Sequence, residues 1–422
     1  MNIAILGAGS RGANVYGGAL SRMPDVKISA VCDIDKNRAV SAAERFGVGR
    51  ENCFFDENAF FEAGVIGDGL VIASMDRDHY RQVVKAIDAG YKKILLEKPV
   101  SHRLEEVEEI VKTAKERGVD ILVAHVLRYT GFYKTVREII KAGKIGEVMA
   151  INHQENVGYW HFAHSFTRGN WRDSETSAPI LLAKTCHDFD LIYWFAESAK
   201  CVSVSSYGEL SHFKRDRAPE GCAERCLDGC AYFETCPFSV KKLYLDKRTP
   251  LGWGMLQAVG KNNPTAQEKL DSLKNPENPY GRCVYFCDND VADHQIVAMQ
   301  FDNDVTATLT MTAFSEKCYR RIHIMGTKGE LIGCDYDNYL TLNTFGKPRG
   351  PFGGASKRVR IKSPLKSGHL GGDDGLCRVF CNVINGEPVD KELLTTVDVT
   401  LESHKIIFFA EKARKTGKTQ LL

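Results

Sequence analysis

The sequence predicts an α/β protein of two domains, in which a parallel sheet flanked by helices is followed by an α+β domain with a mainly antiparallel, open sheet. Over the first 125 residues, strand-like apolar runs alternate with helical patterns. From about residue 145 the β-rich runs are longer and partly alternating, and a Gly-, Pro-, Asn- and Cys-rich stretch interrupts them. A chain of 422 residues has room for such domains, and we expect them at 1–125 and 126–422, with a Cys-rich insertion at about 209–282.

The predicted elements follow from apolar runs and periodicity. Expected strands of the first domain are residues 2–6, 26–33, 69–74, 93–97 and 120–124. Apolar residues at helical spacing over 104–114, among four glutamates, predict a helix that covers this sheet. In the second domain we expect β structure at 147–157 and 293–314, and closing helices at 374–385 and 397–414.

Composition excludes several classes of protein. Hydrophobic residues make up 43% and charged residues 26% of the chain, as in folded globular proteins. With 56 Lys and Arg against 54 Asp and Glu, the net charge is +2, which argues against a general grip on nucleic acid. The apolar runs are too short for a membrane span and no secretory pattern opens the chain. We therefore expect a cytoplasmic protein with a small-molecule partner.

A glycine-rich turn opens the chain. Gly7, Gly9 and Gly12 fit the pattern G-x-G-x-x-G directly after the first strand, and Asp33 ends the next strand. This arrangement predicts a dinucleotide site, where backbone amides approach a pyrophosphate and Asp33 binds the ribose hydroxyls. We expect Ser10 and Arg11 within the turn to contact the cofactor as well. Asp33 would repel a 2′-phosphate, which favours NAD, although Lys36 and Arg38 keep NADP open.

Several motifs in fixed order resemble the Gfo/Idh/MocA oxidoreductase family. They are the Gly7–Gly12 turn, Ile72-Ala73-Ser74 with His79 after it, Glu97-Lys98-Pro99, and His187-Asp188. The resemblance implies an N-terminal Rossmann domain, with Ser74, His79, Glu97 and Lys98 beside the cofactor. It also implies a C-terminal domain that carries the substrate pocket and often an oligomer interface, as in a homodimer or homotetramer. The implied reaction is hydride transfer between a nicotinamide and a hydroxyl carbon of a sugar, cyclitol or related molecule.

Lys98 and His187 are the candidate groups for proton transfer. Lys98 ends a buried strand at the carboxyl edge of the sheet, where ligands of such folds bind, although a structural pairing with Glu97 would also place a lysine there. His187 has the chemistry of a general base, and a histidine on a helix can also be purely structural. Many family members carry an aspartate four residues before this histidine, where this chain has Ala183. Lys184 is the nearest ionisable replacement and is a third candidate in the proton relay.

Aromatic and basic residues after the first strand of the second domain suggest the wall of a carbohydrate pocket. The candidates are Tyr159, Trp160, His161, His164, Arg168, Trp171 and Arg172. Packing of a loop by the aromatic rings would explain them equally well. Arg168 and Arg172 could also clamp a carboxylate, as in a uronic acid.

The insertion contains a cysteine series, Cys222, Cys226, Cys230 and Cys236, with Cys283 and Cys287 downstream. The gaps approach those of structural zinc sites without forming paired C-x2-C motifs, so structural zinc and buried reduced thiols both remain open. An iron–sulfur cluster has suitable ligands but no task in hydride chemistry.

Three functions are consistent with these features. The first is an NAD-dependent dehydrogenase acting on a secondary hydroxyl of a sugar, sugar derivative or cyclitol. The second is a glycosidase that uses bound NAD for transient oxidation and elimination. The third is a dinucleotide-binding sensor without turnover, against which the presence of both Lys98 and His187 argues.

Overall fold

The computed structural model describes residues 1–422 except 250, 262, 338, 347–354 and 362–368. Two sheets organise the chain, a parallel one in its N-terminal part and a mixed, mostly antiparallel one in its C-terminal part. This is the predicted fold class.

The first sheet has six parallel strands in the order β3-β2-β1-β4-β5-β6. Its strands are β1 (Asn2–Leu6), β2 (Lys27–Cys32), β3 (Cys53–Phe54), β4 (Gly69–Ile72), β5 (Lys93–Leu96) and β6 (Asp120–Val123). All five predicted strands are confirmed, with ends shifted by a residue or two, because each is an apolar run buried on both faces. The two-residue β3 was not predicted, since so short a strand has no periodicity to read.

Helices cover both faces of this sheet. Residues Ser10–Gly17 form a helix with wide, π-type turns that continues directly into α1. The α-helices that follow are α1 (Gly18–Leu20), α2 (Lys36–Phe46), α3 (Glu57–Glu62), α4 (His79–Ala89), α5 (Leu104–Arg117) and α6 (Gly131–Lys141). Asp35 caps α2 and Asp56 caps α3, each by accepting hydrogen bonds from two backbone N–H groups of the first turn.

The second sheet has nine strands in the order β14-β13-β12-β11-β7-β10-β9-β8-β15. They are β7 (Val148–Gly158), β8 (Cys201–Glu209), β9 (His294–Phe301), β10 (Thr306–Ser315), β11 (Tyr319–Gly326), β12 (Gly329–Cys334), β13 (Tyr339–Thr344), β14 (Ala355–Arg360) and β15 (Gln420–Leu421). Among the described strands of this second sheet, only β7 and β10 pair in parallel, and all other neighbours are antiparallel. The β-rich run at 293–314 is a hairpin of β9 and β10, whose turn places Asp304 at φ 65°.

The remaining helices lie against the second sheet, in the segment between β8 and β9, or between the two sheets. They are α7 (Tyr159–Phe162), α8 (Ile180–Ala183), α9 (Cys186–Phe195), α10 (Met255–Val259), α11 (Ala266–Lys274), α12 (Gly372–Asn385) and α13 (Val397–Thr416). The two closing helices are therefore confirmed. Both return to the first part of the chain, since α12 packs on α1 and α13 packs on α5 and α9. None of the helices in the described ranges is long and apolar enough to cross a bilayer.

Residues 210–293 connect β8 to β9 and include the cysteine series. Arginine side chains hold this segment together. The Arg225 guanidinium donates to the carbonyls of Leu273, Asn275 and Asn278 at 2.8–3.0 Å. Cys226 N–H donates to the Gly281 carbonyl at 3.2 Å. Hydrogen bonds from a guanidinium to backbone carbonyls therefore cross-link this segment without a metal ion.

The zinc site expected at Cys222, Cys226, Cys230 and Cys236 is not supported. Within the described residues, no group of three or more His, Cys, Asp or Glu side chains is placed to hold a metal ion. All cysteines are free thiols, and Cys226 is buried beside Arg168, whose Nη2 lies 3.9 Å from its Sγ. The sequence spacing resembles that of a zinc site, and the Cys222 thiol lies close to those of Cys230 and Cys283, but the described side chains are not arranged to hold a metal ion.

Candidate active site

The Gly7–Gly12 turn leaves room for a ligand at the carboxyl end of β1. Gly7 has φ +93°, and a Cβ there would lie 2.6 Å from the Ala73 carbonyl group. A Cβ on Gly12 would lie 1.8 Å from the Gly7 oxygen. Around Gly9, by contrast, the nearest atom to such a Cβ is Arg38 Nη1 at 4.0 Å. Two glycines thus close the turn and the third leaves it open, which fits the approach of a pyrophosphate.

Asp33 stands beside this turn at the end of β2. Its Oδ2 accepts the Ala8 N–H at 2.8 Å and its Oδ1 accepts the Asp35 N–H at 2.9 Å. Arg38 lies 3.4 Å from Asp33 and 3.3 Å from Asp35, so its charge is already shared between two carboxylates. The residues fit the ribose of a dinucleotide, and Ser10, half-buried, begins the helix behind the turn.

Arg11 points away from the open side of the turn. Its Nη2 donates to Asp373 Oδ1 of α12 at 2.8 Å, and its Nε makes an ion pair with Glu97. Tyr16 completes the cluster, since its hydroxyl donates to Glu97 Oε1 at 2.5 Å. Arg11 therefore links the turn to the end of β5 and to the C-terminal helix, a role that the expected cofactor contact did not include.

Glu97 is held firmly, and this fixes Lys98 beside it. Burial alone would raise the pKa of Glu97, but the charges of Arg11 and Lys98 outweigh burial and hold it below its usual value. Glu97 Oε2 also accepts the Lys98 backbone N–H at 2.8 Å. The Lys98 side chain is turned elsewhere: its Nζ donates to the Ala183 carbonyl at 2.7 Å. The ammonium group thus lies between the two parts of the chain and is not paired with Glu97.

The other two residues of the predicted cofactor set lie behind this edge. Ser74 follows β4, and its hydroxyl donates to Gln82 Oε1 at 2.5 Å. His79 is fully buried at the start of α4, with its Nδ1 2.7 Å from the Pro99 carbonyl oxygen. His79 therefore supports the residue after Lys98 from within the protein.

His187 faces the same region from α9. Its ring centroid lies 5.7 Å from that of His125 and 6.0 Å from that of His369. Burial, followed by the charge of Lys98, lowers the pKa of His187 well below its usual value. Its Nδ1 is buried and has no hydrogen-bond partner. The ring is therefore neutral at neutral pH, which is the state from which a general base acts, and the same shift makes it a weak base.

Lys184 lies on an ion-pair network under the site. Its Nζ is 3.2 Å from Oε1 of Glu155, which is buried at the end of β7. Arg320 of β11 lies 2.8 Å from Glu155 Oε2 and donates through Nε to Asp188 Oδ1 at 2.6 Å. Asp188 Oδ1 is also 2.7 Å from His153 Nε2. The network anchors the residues on both sides of His187.

His369 completes this side of the site from the beginning of α12. Its Nδ1 lies 3.0 Å from Asp373 Oδ2, the carboxylate that also binds Arg11. His369 and Leu370 have φ of 47° and 54°, in the left-handed region that non-glycine residues rarely adopt. Burial lowers the pKa of His369, and Asp373 offsets part of this effect.

The predicted substrate residues at 159–172 have different environments. Tyr159, Trp160, His161 and Trp171 are partly exposed, and Trp171 Nε1 reaches back to Asp76 Oδ2 at 3.2 Å. His164 is buried, with Nδ1 3.0 Å from the Tyr244 hydroxyl. The buried part of the aromatic segment therefore packs under residues 210–293, and a pocket wall formed by its partly exposed rings stays a prediction.

The two arginines of this segment are occupied. Arg168 is fully buried and donates to the carbonyls of Arg282 and Phe238 at 2.7 and 2.8 Å. Arg172 donates through Nε to Asp288 Oδ1 at 2.8 Å. Arg168 Nη1 is buried without a hydrogen-bond partner, and the carboxylate clamp by these two arginines stays a prediction.

Sequence reasoning missed Tyr16, Glu155, Arg320, His369 and Asp373. Two local signals were available. Charged residues on the inward-facing positions of a predicted strand mark His153 and Glu155, and His369 and Asp373 are one helical turn apart in a glycine-rich run. Neither signal by itself names a partner.

Solved structures of similar fold include an NAD-binding oxidoreductase from Klebsiella pneumoniae and a levoglucosan dehydrogenase in complex with NADH and levoglucosan. The first has a TM-score of 0.70 at 16% identity, and covers 100% of this chain and 98% of its own. The second has a TM-score of 0.71 at 14% identity, with 100% and 99% covered. At this identity the likeness concerns the fold.

Relatives by sequence include an oxidoreductase of Bacillus subtilis (strain 168) described as putative, YteT. It is 24% identical over 334 residues, or 78% of this chain and 76% of the relative. An inositol 2-dehydrogenase of Corynebacterium glutamicum is 28% identical over 210 residues, or 48% of this chain. The matched region spans 56% of that enzyme's own length.

Two family models cover the chain in order. The oxidoreductase family domain with an NAD-binding Rossmann fold matches residues 1–125, and the C-terminal alpha/beta domain of the same family matches residues 137–418. The chain therefore belongs to the Gfo/Idh/MocA family of oxidoreductases.

Proposed function

We propose that this protein is an NAD-dependent dehydrogenase that oxidises a secondary hydroxyl of a sugar, sugar derivative or cyclitol, or reduces the matching ketone. One observation carries the proposal. Lys98 after β5 reaches the carbonyl of Ala183, the last residue of α8, with its Nζ at 2.7 Å, and His187 lies in the first turn of the next helix. The two proton-transfer candidates, contributed by the two sheets' domains, thus meet at the sheet edge that also carries the Gly7–Gly12 turn and Asp33.

The bound dinucleotide would supply the nicotinamide carbon that accepts or returns the hydride. Gly7, Gly9 and Gly12 would hold its pyrophosphate and Asp33 its adenosine ribose. Because Arg38 already shares its charge with Asp33 and Asp35, a 2′-phosphate would meet a net negative surface there. We therefore infer a preference for NAD over NADP.

Lys98 and His187 would transfer the proton of the substrate hydroxyl. A hydroxyl placed between Nζ and the imidazole would donate to the neutral His187, while the ammonium group of Lys98 stabilises the oxygen as it becomes negative. Glu97 keeps Lys98 in place through its hydrogen bond to the Lys98 N–H. In the reductive direction the same groups return the proton.

The test combines purified protein with NAD and a panel of aldoses, uronic acids, inositols and aryl glycosides, and records NADH absorbance and aglycone release together. NADH accumulation that is lost in Lys98→Met and His187→Gln, with NADH affinity retained in both, is the expected result. Aglycone release that requires NAD but leaves no net NADH would identify the redox glycosidase instead.

A dinucleotide-binding sensor is the remaining alternative. This alternative predicts tight NADH binding with neither NADH accumulation nor aglycone release. It also predicts that Lys98→Met leaves the affinity for NADH unchanged. We also propose that the protein forms a homo-oligomer, as is frequent in this family. Analytical ultracentrifugation of the purified protein tests this directly.

A further inference from the structure

The ion pairs around the candidate site share one arrangement: the cation is nearer to solvent than the carboxylate. Lys184 is 19% exposed and its partner Glu155 is 1% exposed. Arg320 is 11% exposed and its partner Asp188 is fully buried. By contrast, Arg128 and Asp190, which form an ion pair in the core, are both at most 2% exposed. The walls of the site therefore present positive groups and keep the negative ones behind them.

The carboxylates of these walls are also occupied. Glu97 accepts from Tyr16, Glu155 lies against Lys184 and Arg320, and Asp188 accepts from Arg320. Asp76 accepts from the Trp171 indole and the Ser177 hydroxyl. Ala183, beside Lys184, adds no charge. A ligand would thus meet ammonium groups before it met a carboxylate.

Neutral imidazoles surround the ammonium groups. Burial and then the charge of Lys184 lower the pKa of His161 well below its usual value, and the pKa of His369 is lowered as well. His187 behaves in the same way. At neutral pH these rings contribute N–H donors without positive charge, so the local cationic groups that a ligand can reach are the lysines.

The arginines of the aromatic segment already have protein partners. Arg168 is fully buried on two backbone carbonyls, and Arg172 is paired with Asp288. Lys184 is therefore a better candidate for binding an anion than those arginines. It directly follows Ala183, whose carbonyl accepts a hydrogen bond from Lys98 Nζ.

We propose that the substrate is a sugar acid, and that Lys184 binds its carboxylate while Lys98 and His187 act on a nearby hydroxyl. This inference rests on the dehydrogenase function proposed above. A carboxylate fits better than a phosphate, because a phosphate dianion would face one ammonium group that Glu155 already compensates in part. Lys184 is then a binding residue and not a member of the proton relay.

The test uses acids and neutral sugars that share a ring: D-galacturonate with D-galactose, and D-glucuronate with D-glucose. We expect a higher kcat/KM for NADH formation with at least one acid than with its neutral partner. In Lys184→Met the ratio of acid to neutral kcat/KM should fall by about tenfold to a hundredfold through KM, the effect of one charge-assisted hydrogen bond. Lys184→Arg should preserve most of the acid-to-neutral ratio. As a control, Lys112 is an exposed lysine on α5, and Lys112→Met should leave the ratio unchanged.

Two results would overturn the carboxylate assignment while the dehydrogenase function stands. One is turnover of neutral sugars or inositols with no turnover of their acids. The other is an equal loss of kcat for acid and neutral substrates in Lys184→Met, which would assign Lys184 to proton transfer.

A binding arm separates this inference from the proposed function. The melting temperature of the NADH-loaded protein is measured with each acid, with each neutral sugar and with glucose 6-phosphate. A rise with the acids that Lys184→Met abolishes supports the carboxylate site even without turnover. No rise and no turnover with the acids, or a larger rise with the sugar phosphate, would refute it.

Discussion

Replacing Arg11 by methionine should destabilise the protein in a pH-dependent way. Arg11 is the cation shared by two buried carboxylates, Glu97 at 7% and Asp373 at 3% side-chain exposure. Removing one partner of a buried ion pair typically costs about 3–5 kcal/mol of folding free energy. Glu97 would keep its bonds from Tyr16 and from the Lys98 N–H, and Asp373 would keep His369. We therefore expect the lower end of the range, about 3 kcal/mol.

The sign of the pH dependence follows from the two carboxylates. With Arg11 present, the pKa of each is held below its usual value in spite of burial, so each stabilises the fold above its unfolded pKa of about 4. Without Arg11, burial raises both pKa values, and the charged forms oppose folding at neutral pH. Acidification then protonates them in the variant, so the difference from wild type should be largest near pH 7.5 and narrow towards pH 5.

Urea denaturation followed by tryptophan fluorescence, at several pH values, measures this difference. Arg22→Met is the matched control, because Arg22 pairs at 2.8 Å with Asp374, the neighbour of Asp373 on α12, but is 64% exposed. That pair should contribute less than about 1 kcal/mol. If Arg11→Met costs no more than Arg22→Met at pH 7.5, or if its cost does not change with pH, the account of the cluster is wrong.

Three further predictions concern other parts of the chain. Burial lowers to about 3 the pKa of His125, His164 and His404. These imidazoles bind protons in the unfolded chain from pH 6.5 downwards but not in the folded one. Each should therefore lower the free energy of unfolding by up to about 1.4 kcal/mol per pH unit between pH 6.5 and about 3. Urea midpoints that stay flat from pH 7 to pH 5 would contradict this. Asp33→Ala should weaken NADH about tenfold and improve the relative affinity for NADPH, as fluorescence titration with both would show, whereas an unchanged ratio would remove Asp33 from cofactor selection. Asp190→Asn should cost about 3–5 kcal/mol of unfolding free energy, since Arg128 donates to it through Nε and Nη2 at 2.7 Å in the core, and a loss below 1 kcal/mol would be inconsistent with that pair.

The features that the sequence predicted well are local. Each strand of the first sheet is a short apolar run, and the Gly7–Gly12 turn follows directly from one of them, so the position of Lys98 at the same edge could be inferred from strand order alone. The closing helices were likewise visible from their periodicity.

The features that it missed depend on partners far away in the chain. Arg11 and Asp373 are 362 positions apart, and nothing near either residue shows that α12 returns to the glycine-rich turn. Arg168 has the same composition of neighbours whether its guanidinium faces a ligand or the carbonyls of Arg282 and Phe238. The cysteine spacing similarly could not reveal that the thiols do not converge on a metal.

The imidazoles near the site differ in their partners, and His187, the proposed proton-transfer group, differs from His153 and His369. His153 lies against Asp188 and His369 against Asp373, so each of these two rings has a carboxylate partner. His187 has a buried Nδ1 without a partner, Lys98 nearby, and a pKa well below its usual value because of burial first and that lysine second. If His187 accepts the proton of a substrate hydroxyl, as proposed above, its low pKa favours release of that proton. Within the described part of the chain no carboxylate accepts from its Nδ1, so no ion pair would hold the proton there.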